Sequence, residues 1–330
     1  MASVAHAFSP KEWKVAVVSD ATNAGATGIG TTMNQLDVDS ISMPSLNPTQ
    51  VLDVRSGVGR TFKDEDFFQD GILRVSEISL SGTLHNDAGH KLLLQNICND
   101  VSGNASIASG FTAASQKYGA AVTNAASSLT LVMQPSDVTN QQGLEFFGCV
   151  VTNFAISAES GTEGGRYKWT ATLQTGKKPD LASTATPTIT AYANTNIPLM
   201  SNASSLKVSD VDVVMNSFTA TIDSPAVFTG VTTTGYEVVS RGTETAVTID
   251  TQVKYDGNTK GFISEFDTQT AANTAGSMFT MTNNNAYGII VTSGIFTGVE
   301  LSEGDLMMLD CSIKSVDDGS SDLITFDLTA

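Results

Sequence analysis

The stretch SEISLSGTLHNDAGHKLLLQNI, Ser76–Ile97, changes its period in the middle. From Ser76 to His85 apolar and polar residues alternate: Ile78, Leu80, Gly82 and Leu84 oppose Glu77, Ser79, Ser81, Thr83 and His85, the pattern of a strand with one buried face. Beyond Asp87, the apolar residues of Gly89–Cys98 fall at helical spacing, so a short helix follows the strand. A second stretch, ETAVTIDTQVKYDGNTKGFISEF, Glu244–Phe266, makes the same change. There Ile249, Thr251 and Val253 oppose Thr248, Asp250, Gln252 and Lys254, and Thr259–Phe266 returns to helical spacing. Overlaid, Asp87 falls on Asp256 and Lys91 on Lys260. Either aspartate suits a cap, because its side-chain oxygen can accept from the free amides of the following turn.

Outward from these two units the alternation predicts further strands at Phe147–Ile156, Tyr167–Gln174, Asn216–Asp223, Gly288–Phe296 and Leu306–Lys314. Placing Gly148 over Gly288 without a gap aligns FGCVVTNFAISAESGTEGGRYKWTATL with GIIVTSGIFTGVELSEGDLMMLDCSI, and sets Trp169, Ala171 and Leu173 on Leu309, Cys311 and Ile313. Repetition of this kind is read before any motif. It predicts two unequal copies of one domain, 1–185 and 186–330, joined through Gly176–Ser205, where prolines and small polar residues suit a boundary. Asp87 to Gly148 spans 61 positions and Asp256 to Gly288 spans 32, so the first copy carries an inserted segment around 101–128. Its Ala/Ser-rich composition predicts a surface excursion rather than core.

Composition excludes several functions. With 17 basic and 34 acidic residues the net charge is −17, which is unfit for gripping phosphates but compatible with a surface that nucleic acid slides past. Mean hydropathy is +0.02 and no apolar run approaches a membrane span, so no membrane binding is expected. The first residues lack a basic segment followed by an apolar one, which predicts no secretory signal and folding in a cytoplasm. Cys98, Cys149 and Cys311 are odd in number and far apart, so neither a disulfide framework nor a zinc site is expected, and Cys149 and Cys311 read as core.

Motifs for chemistry are weak. Gly25–Gly30 lacks the spacing of a phosphate-binding loop. His85 and His90 flank Asp87 in a pattern that is not a zinc motif, and neither aligned position of the second copy is histidine. The acidic runs Asp64–Asp66 and Asp317–Asp318 look solvated, and no nucleophile turn is near a histidine. No enzyme activity, metal or cofactor is expected.

The paired strand–helix units, the two closing hairpins and TGYEVVSRGTE, Thr234–Glu244, together resemble the tail tube proteins of siphophages, especially subunits with two fused tube domains. The resemblance covers most of the chain. It implies a mostly β fold in which each domain is two packed antiparallel sheets with one short flanking helix, a fold shared with haemolysin co-regulated proteins. It further implies a structural virion protein, made in the host cytoplasm, whose trimeric, pseudo-hexameric rings stack head to tail into the conduit for genome ejection. Its partners would be itself, the tape-measure protein and then phage DNA in the lumen, and tail terminator and baseplate or tip proteins at the ends. A capsid decoration protein or a tail terminator is the alternative. A single-domain secretion conduit and a secreted adhesin or lectin fit less well.

Two groups of site residues follow from the resemblance. Inter-ring docking loops would lie at Arg55–Gly71, with Arg60, Phe62, Lys63, Asp64, Glu65, Phe67 and Phe68, and at Val227–Arg241, with Tyr236, Glu237 and Arg241. Aromatic anchors among charged steering groups suit such an interface. The polar face of the two repeated strands, Glu77, Ser79, Ser81, Thr83, Thr248, Asp250 and Gln252, would line the lumen.

Overall fold

Strand formation follows the alternation read above, and the computed structural model describes residues 12–20, 32–42, 49–52, 67–70, 75–100, 104–107, 127–135, 143–183, 186–193, 197–232, 235–241, 244–268, 277–283, 287–304 and 306–328. The first strands are β1 (Trp13–Asp20), β2 (Thr32–Gln35), β3 (Ser40–Ser42), β4 (Thr49–Leu52), β5 (Phe67–Asp70) and β6 (Ser76–Thr83), followed by helix α1 (Ala88–Cys98). Next come β7 (Asn104–Ile107), β8 (Ser128–Pro135), β9 (Gly143–Glu159), β10 (Lys168–Thr175), β11 (Asp180–Ser183) and β12 (Thr188–Thr190). The rest are β13 (Ala203–Val208), β14 (Val211–Asp212), β15 (Met215–Asp223), β16 (Ala226–Thr232), β17 (Gly235–Arg241), β18 (Ala246–Lys254), α2 (Gly261–Asp267), β19 (Phe279–Asn283), β20 (Gly288–Val291), β21 (Gly294–Glu303), β22 (Met307–Ser315) and β23 (Ile324–Asp327).

One long antiparallel sheet organises the molecule, in the order β3-β6-β10-β9-β15-β18-β22-β21. Two covering layers pack on it. The first runs β12-β2-β1-β8-β9-β11, and the second runs β14-β13-β19-β20-β23-β7. The fold is therefore mostly β, in packed layers with two flanking helices, as expected.

β9 belongs to both layers. Its first residues pair with β8 and β11, and its last pair with β10 and β15. The crossing falls where Gly148 takes a positive φ of 59° and Thr152 is bulged out of the ladder, the two devices that bend a strand. In the second half the same path is broken between β20 and β21, and the bulge falls on Thr297.

The buried face is that of the alternating residues. Ile78, Leu80, Trp169, Ala171, Leu173, Ile249, Val253, Leu309, Cys311 and Ile313 are all buried. Facing positions exchange volume: Trp169 sits opposite Gly82, and Leu309 opposite Val253. A Cβ on Gly82 would lie inside van der Waals contact of the Asp37 carbonyl oxygen, which leaves room for no side chain there. Trp169 Nε1 donates to Thr83 O at 3.1 Å, so the indole is buried without an orphaned donor. Tyr167, Phe218 and Phe279 continue the core across the chain, with ring centroids 5.4 and 6.2 Å apart. Each such aromatic contributes about 1.5–3 kcal/mol of burial.

Three sequence expectations are revised. First, the Gly176–Ser205 boundary stretch holds more than prolines and small polar turn residues, because β11 and β12 lie within it and pair with β9 and β2. Pro179 and Pro187 stand immediately before the two strands, where a missing N–H costs no ladder bond. Second, part of the 101–128 segment is core: β7 pairs with β23, and Ala105 is fully buried. Third, the closing hairpins do not overlay without a gap. The turn between β9 and β10 is residues 160–167, whereas that between β21 and β22 is 304–306, so the second hairpin is shorter although its bulge is kept. The placement of Trp169, Ala171 and Leu173 over Leu309, Cys311 and Ile313 agrees with the core.

Candidate assembly surface

The long sheet turns its other face away from the core, and strand alternation carries short polar side chains onto it. Glu77, Ser79 and Ser81 on β6 and Thr248, Asp250 and Gln252 on β18 all lie on this one face, and Thr83 is the member that is buried, at 5% exposure. Cross-strand hydrogen bonds hold the carpet in register. Gln174 donates to Glu77 at 3.1 Å, Ser312 to Asp250 at 2.6 Å, Gln252 to Asp310 at 2.8 Å and Asn216 to Gln252 at 2.7 Å. Lys168 donates to Thr83 at 3.2 Å and pairs with Glu163 at 3.0 Å. Ser and Thr dominate, and the charges are mainly acidic.

The sheet has two distinct ends. At one end Asp223 faces Ala246, and the chain between them forms a ribbon of β16 and β17 that pair only with each other among the described residues. At the same end β3 leaves and β6 begins, and between them β4 and β5 form a second isolated ribbon. Of the first sequence-predicted docking loop only Phe67–Asp70 is described, on β5, and the second falls on β16 and β17. Arg60, Phe62, Lys63, Asp64 and Glu65 lie outside the described residues, as do Gly25–Gly30; Phe67 and Phe68 are on β5, and Tyr236 and Glu237 on β17. At the other end are the turns 160–167 and 304–306.

The sequence profile of the phage tail tube protein family matches residues 73–330 of this chain. The chain belongs to that family. No match was found among curated proteins. A phage tail tube protein is a structural component of the virion tail, and it assembles with copies of itself and other tail components into a tube.

Within this tail tube protein Arg241, at the foot of the second ribbon, is 8% exposed and does not project from the subunit. Its guanidinium donates to Val151 O at 2.7 Å, Ser224 O at 2.6 Å, Asn96 O at 2.7 Å and Ile97 O at 3.0 Å. The last two are carbonyls at the C-terminus of α1, where a cation is favoured by the helix dipole. Asn96 extends the joint, donating to Ser127 O and accepting from Val151 N, each at 2.8 Å. The foot of the ribbon is thus bolted to α1 and to the bulge of β9. Nothing in the local sequence GYEVVSR signals this, because all the acceptors are backbone atoms far away in the chain.

The described histidines of the tail tube subunit, His85 and His90, are structural in setting. His85 Nε2 lies 2.8 Å from Asp37 Oδ2 and His90 Nδ1 lies 2.9 Å from Asp87 Oδ1. Asp87 is the N-cap of α1, accepting from His90 N at 3.1 Å, as its position predicts. Burial works against the Asp87 charge, but the His90 imidazole and amide outweigh it and hold the carboxyl below its usual range. Asp256 accepts from the amides of Asn258 and Thr259, which hold its carboxyl low as well. Among the described residues no group of three or more His, Cys, Asp or Glu side chains is placed to hold a metal ion. Cys149 and Cys311 are buried, as read from sequence, and burial pushes both thiols up to about 12.

Proposed function

We propose that this chain is the major tail tube subunit of a long-tailed siphophage, that it is a fused pair of tube domains, 1–185 and 186–330, and that three copies close into a pseudo-sixfold ring whose stack is the conduit for genome ejection. The carrying observation is the joint between β9 and β15. On one side of it stand β3, β6, β10 and β9, on the other β15, β18, β22 and β21, in the same order, each with a bulge in its hairpin and each with a ribbon leaving from the same end. The outer edges, β3 and β21, have no further strand beside them among the described residues. An edge that repeats an internal joint accepts the same joint from outside, so β21 of one copy pairs with β3 of the next.

In such a ring the polar face with Glu77, Asp250 and Gln252 is the lumen. Its hydroxyl-rich, mainly acidic character suits first a tape-measure protein and then DNA that must pass without sticking. The tube ends would meet terminator and baseplate or tip proteins. Negative-stain microscopy of the purified protein tests the reading: stacked rings with a central hole and threefold class averages are expected. Discrete trimers that never stack would overturn it.

A further inference from the structure

The inserted segment of the first half acquires a role from where β7 lies. β7 follows α1 and pairs antiparallel with β23, in a register running from Asn104 opposite Asp327 to Ile107 opposite Ile324. A strand of the first half is thus the outer edge of the second half's covering layer. Leu323 N donates to Ile107 O at 2.8 Å and extends the ladder. Ala105, Ile107, Ile324 and Phe326 are all buried, and β7 also packs against α1. The edge of β23, which would otherwise stand open, is closed from across the joint between the halves.

The second half answers with side chains and not with a strand. Arg241 reaches Val151 O, Asn96 O and Ile97 O in the first half, and Tyr287 Oη donates to His85 O at 2.7 Å. It has no length of chain for a counterpart of β7. In the register that sets Asp87 on Asp256, Ile107 falls on Gly276. Residues 108–127 stand between Ile107 and β8, enough to carry the chain back to its own layer, whereas only Ser277 and Met278 stand between Gly276 and β19. Two residues span about 7 Å at full extension, little more than the gap of about 4.8 Å between neighbouring strands. Both are also held in the second half's own layer, where Asp210 N donates to Ser277 O, Ser209 N to Met278 O and Met278 N to Thr292 O. The strand that would receive such a counterpart is β11, which follows β10 as β23 follows β22. Among the described residues β11 has β9 alone beside it, and its Leu181 is 41% exposed.

We propose that the insertion is a one-way clasp, in which the outer edge of β23 is the docking surface and β7 of the same chain its occupant, so that the two halves hold together without the peptide link between them. The proposal rests on the fused-pair reading of the chain. When the clasp is opened, the β9–β15 ladder from Ser217 to Asp223 and the shared aromatic core remain, so the hold is weakened and not abolished.

Cutting the link reads the clasp. A protease site introduced at 194–196 falls after β12, which pairs with β2 of the first half, and before β13 of the second. In sedimentation below the tube-forming concentration, the cut chain is expected to run still as one species of the uncut mass. Ala105→Asp sets a charge against β23, and after the same cut its halves are expected to part with a dissociation constant at least roughly tenfold higher. Should that variant lose its far-UV dichroism before cutting, Ile107→Gly takes its place, removing a buried side chain and adding no charge. Unaltered halves that part as readily as those of the variant, or variant halves that hold as tightly as the unaltered ones, overturn the clasp and leave the fused pair standing. An unaltered chain that unfolds once cut overturns the fused pair and the clasp together.

Discussion

Replacing Arg241 with methionine keeps much of the side chain's bulk but removes its donors to Val151, Ser224, Asn96 and Ile97. Buried carbonyls left without donors carry their full desolvation cost, so a loss of about 3 kcal/mol or more is expected in urea denaturation. Arg241→Lys recovers only part, because an ammonium lacks the planar fork that reaches several carbonyls at once. Gly82→Ala is expected to cost roughly 1–3 kcal/mol by the same assay, since the Asp37 backbone must move. A pH dependence follows from Asp87, whose folded carboxyl is held below its ordinary value of 3.8. Stability from a lowered pKa is present above 3.8 and is lost as pH falls through the lower folded value. Asp87→Asn should therefore flatten part of the acid limb of a stability–pH curve while leaving the slope at neutral pH unchanged.

At the scale of elements, β7 shows how far a short segment can matter. Ala105→Asp would set a charge at a fully buried position between β7 and β23. Faster amide exchange across Ile324–Asp327 is expected, with unchanged exchange in β6. The sequence made some elements plain and hid others for one reason. β6, β10, β18 and β22 bury a single face, so their side chains alternate and the register can be read directly. β8 and the first part of β9 are buried on both faces, and SLTLVMQP and GLEFFGCVV carry no period to read. β11, β12 and β7 are too short and polar to announce themselves, and their place is set by partners distant in sequence. The ribbons were recognisable as excursions through their aromatic and charged residues, but the bolt at Arg241 was invisible because backbone carbonyls leave no sequence mark.

For the whole molecule the net charge of −17 opposes every association of one copy with another. Screening shortens that repulsion to about 10 Å at 0.1 M salt, so the lowest concentration giving tubes should fall as ionic strength rises from roughly 20 to 200 mM. Light scattering measures it, and a threshold that rises with salt would point instead to attraction between charges as the main cohesive force. The sense in which the sheet curls decides whether its polar face is lumen or outer wall, and labelling can discriminate between them. Cys98, Cys149 and Cys311 are buried and their thiols are held protonated, so they stay silent to maleimide at neutral pH. Asp250→Cys then offers a single reactive site in the middle of the polar face. A small gold cluster attached there before assembly should appear along the tube axis in electron micrographs. Gold along the outer wall would reverse the assignment of Glu77, Ser79, Ser81, Thr83, Thr248, Asp250 and Gln252 together, because one continuous face carries them all.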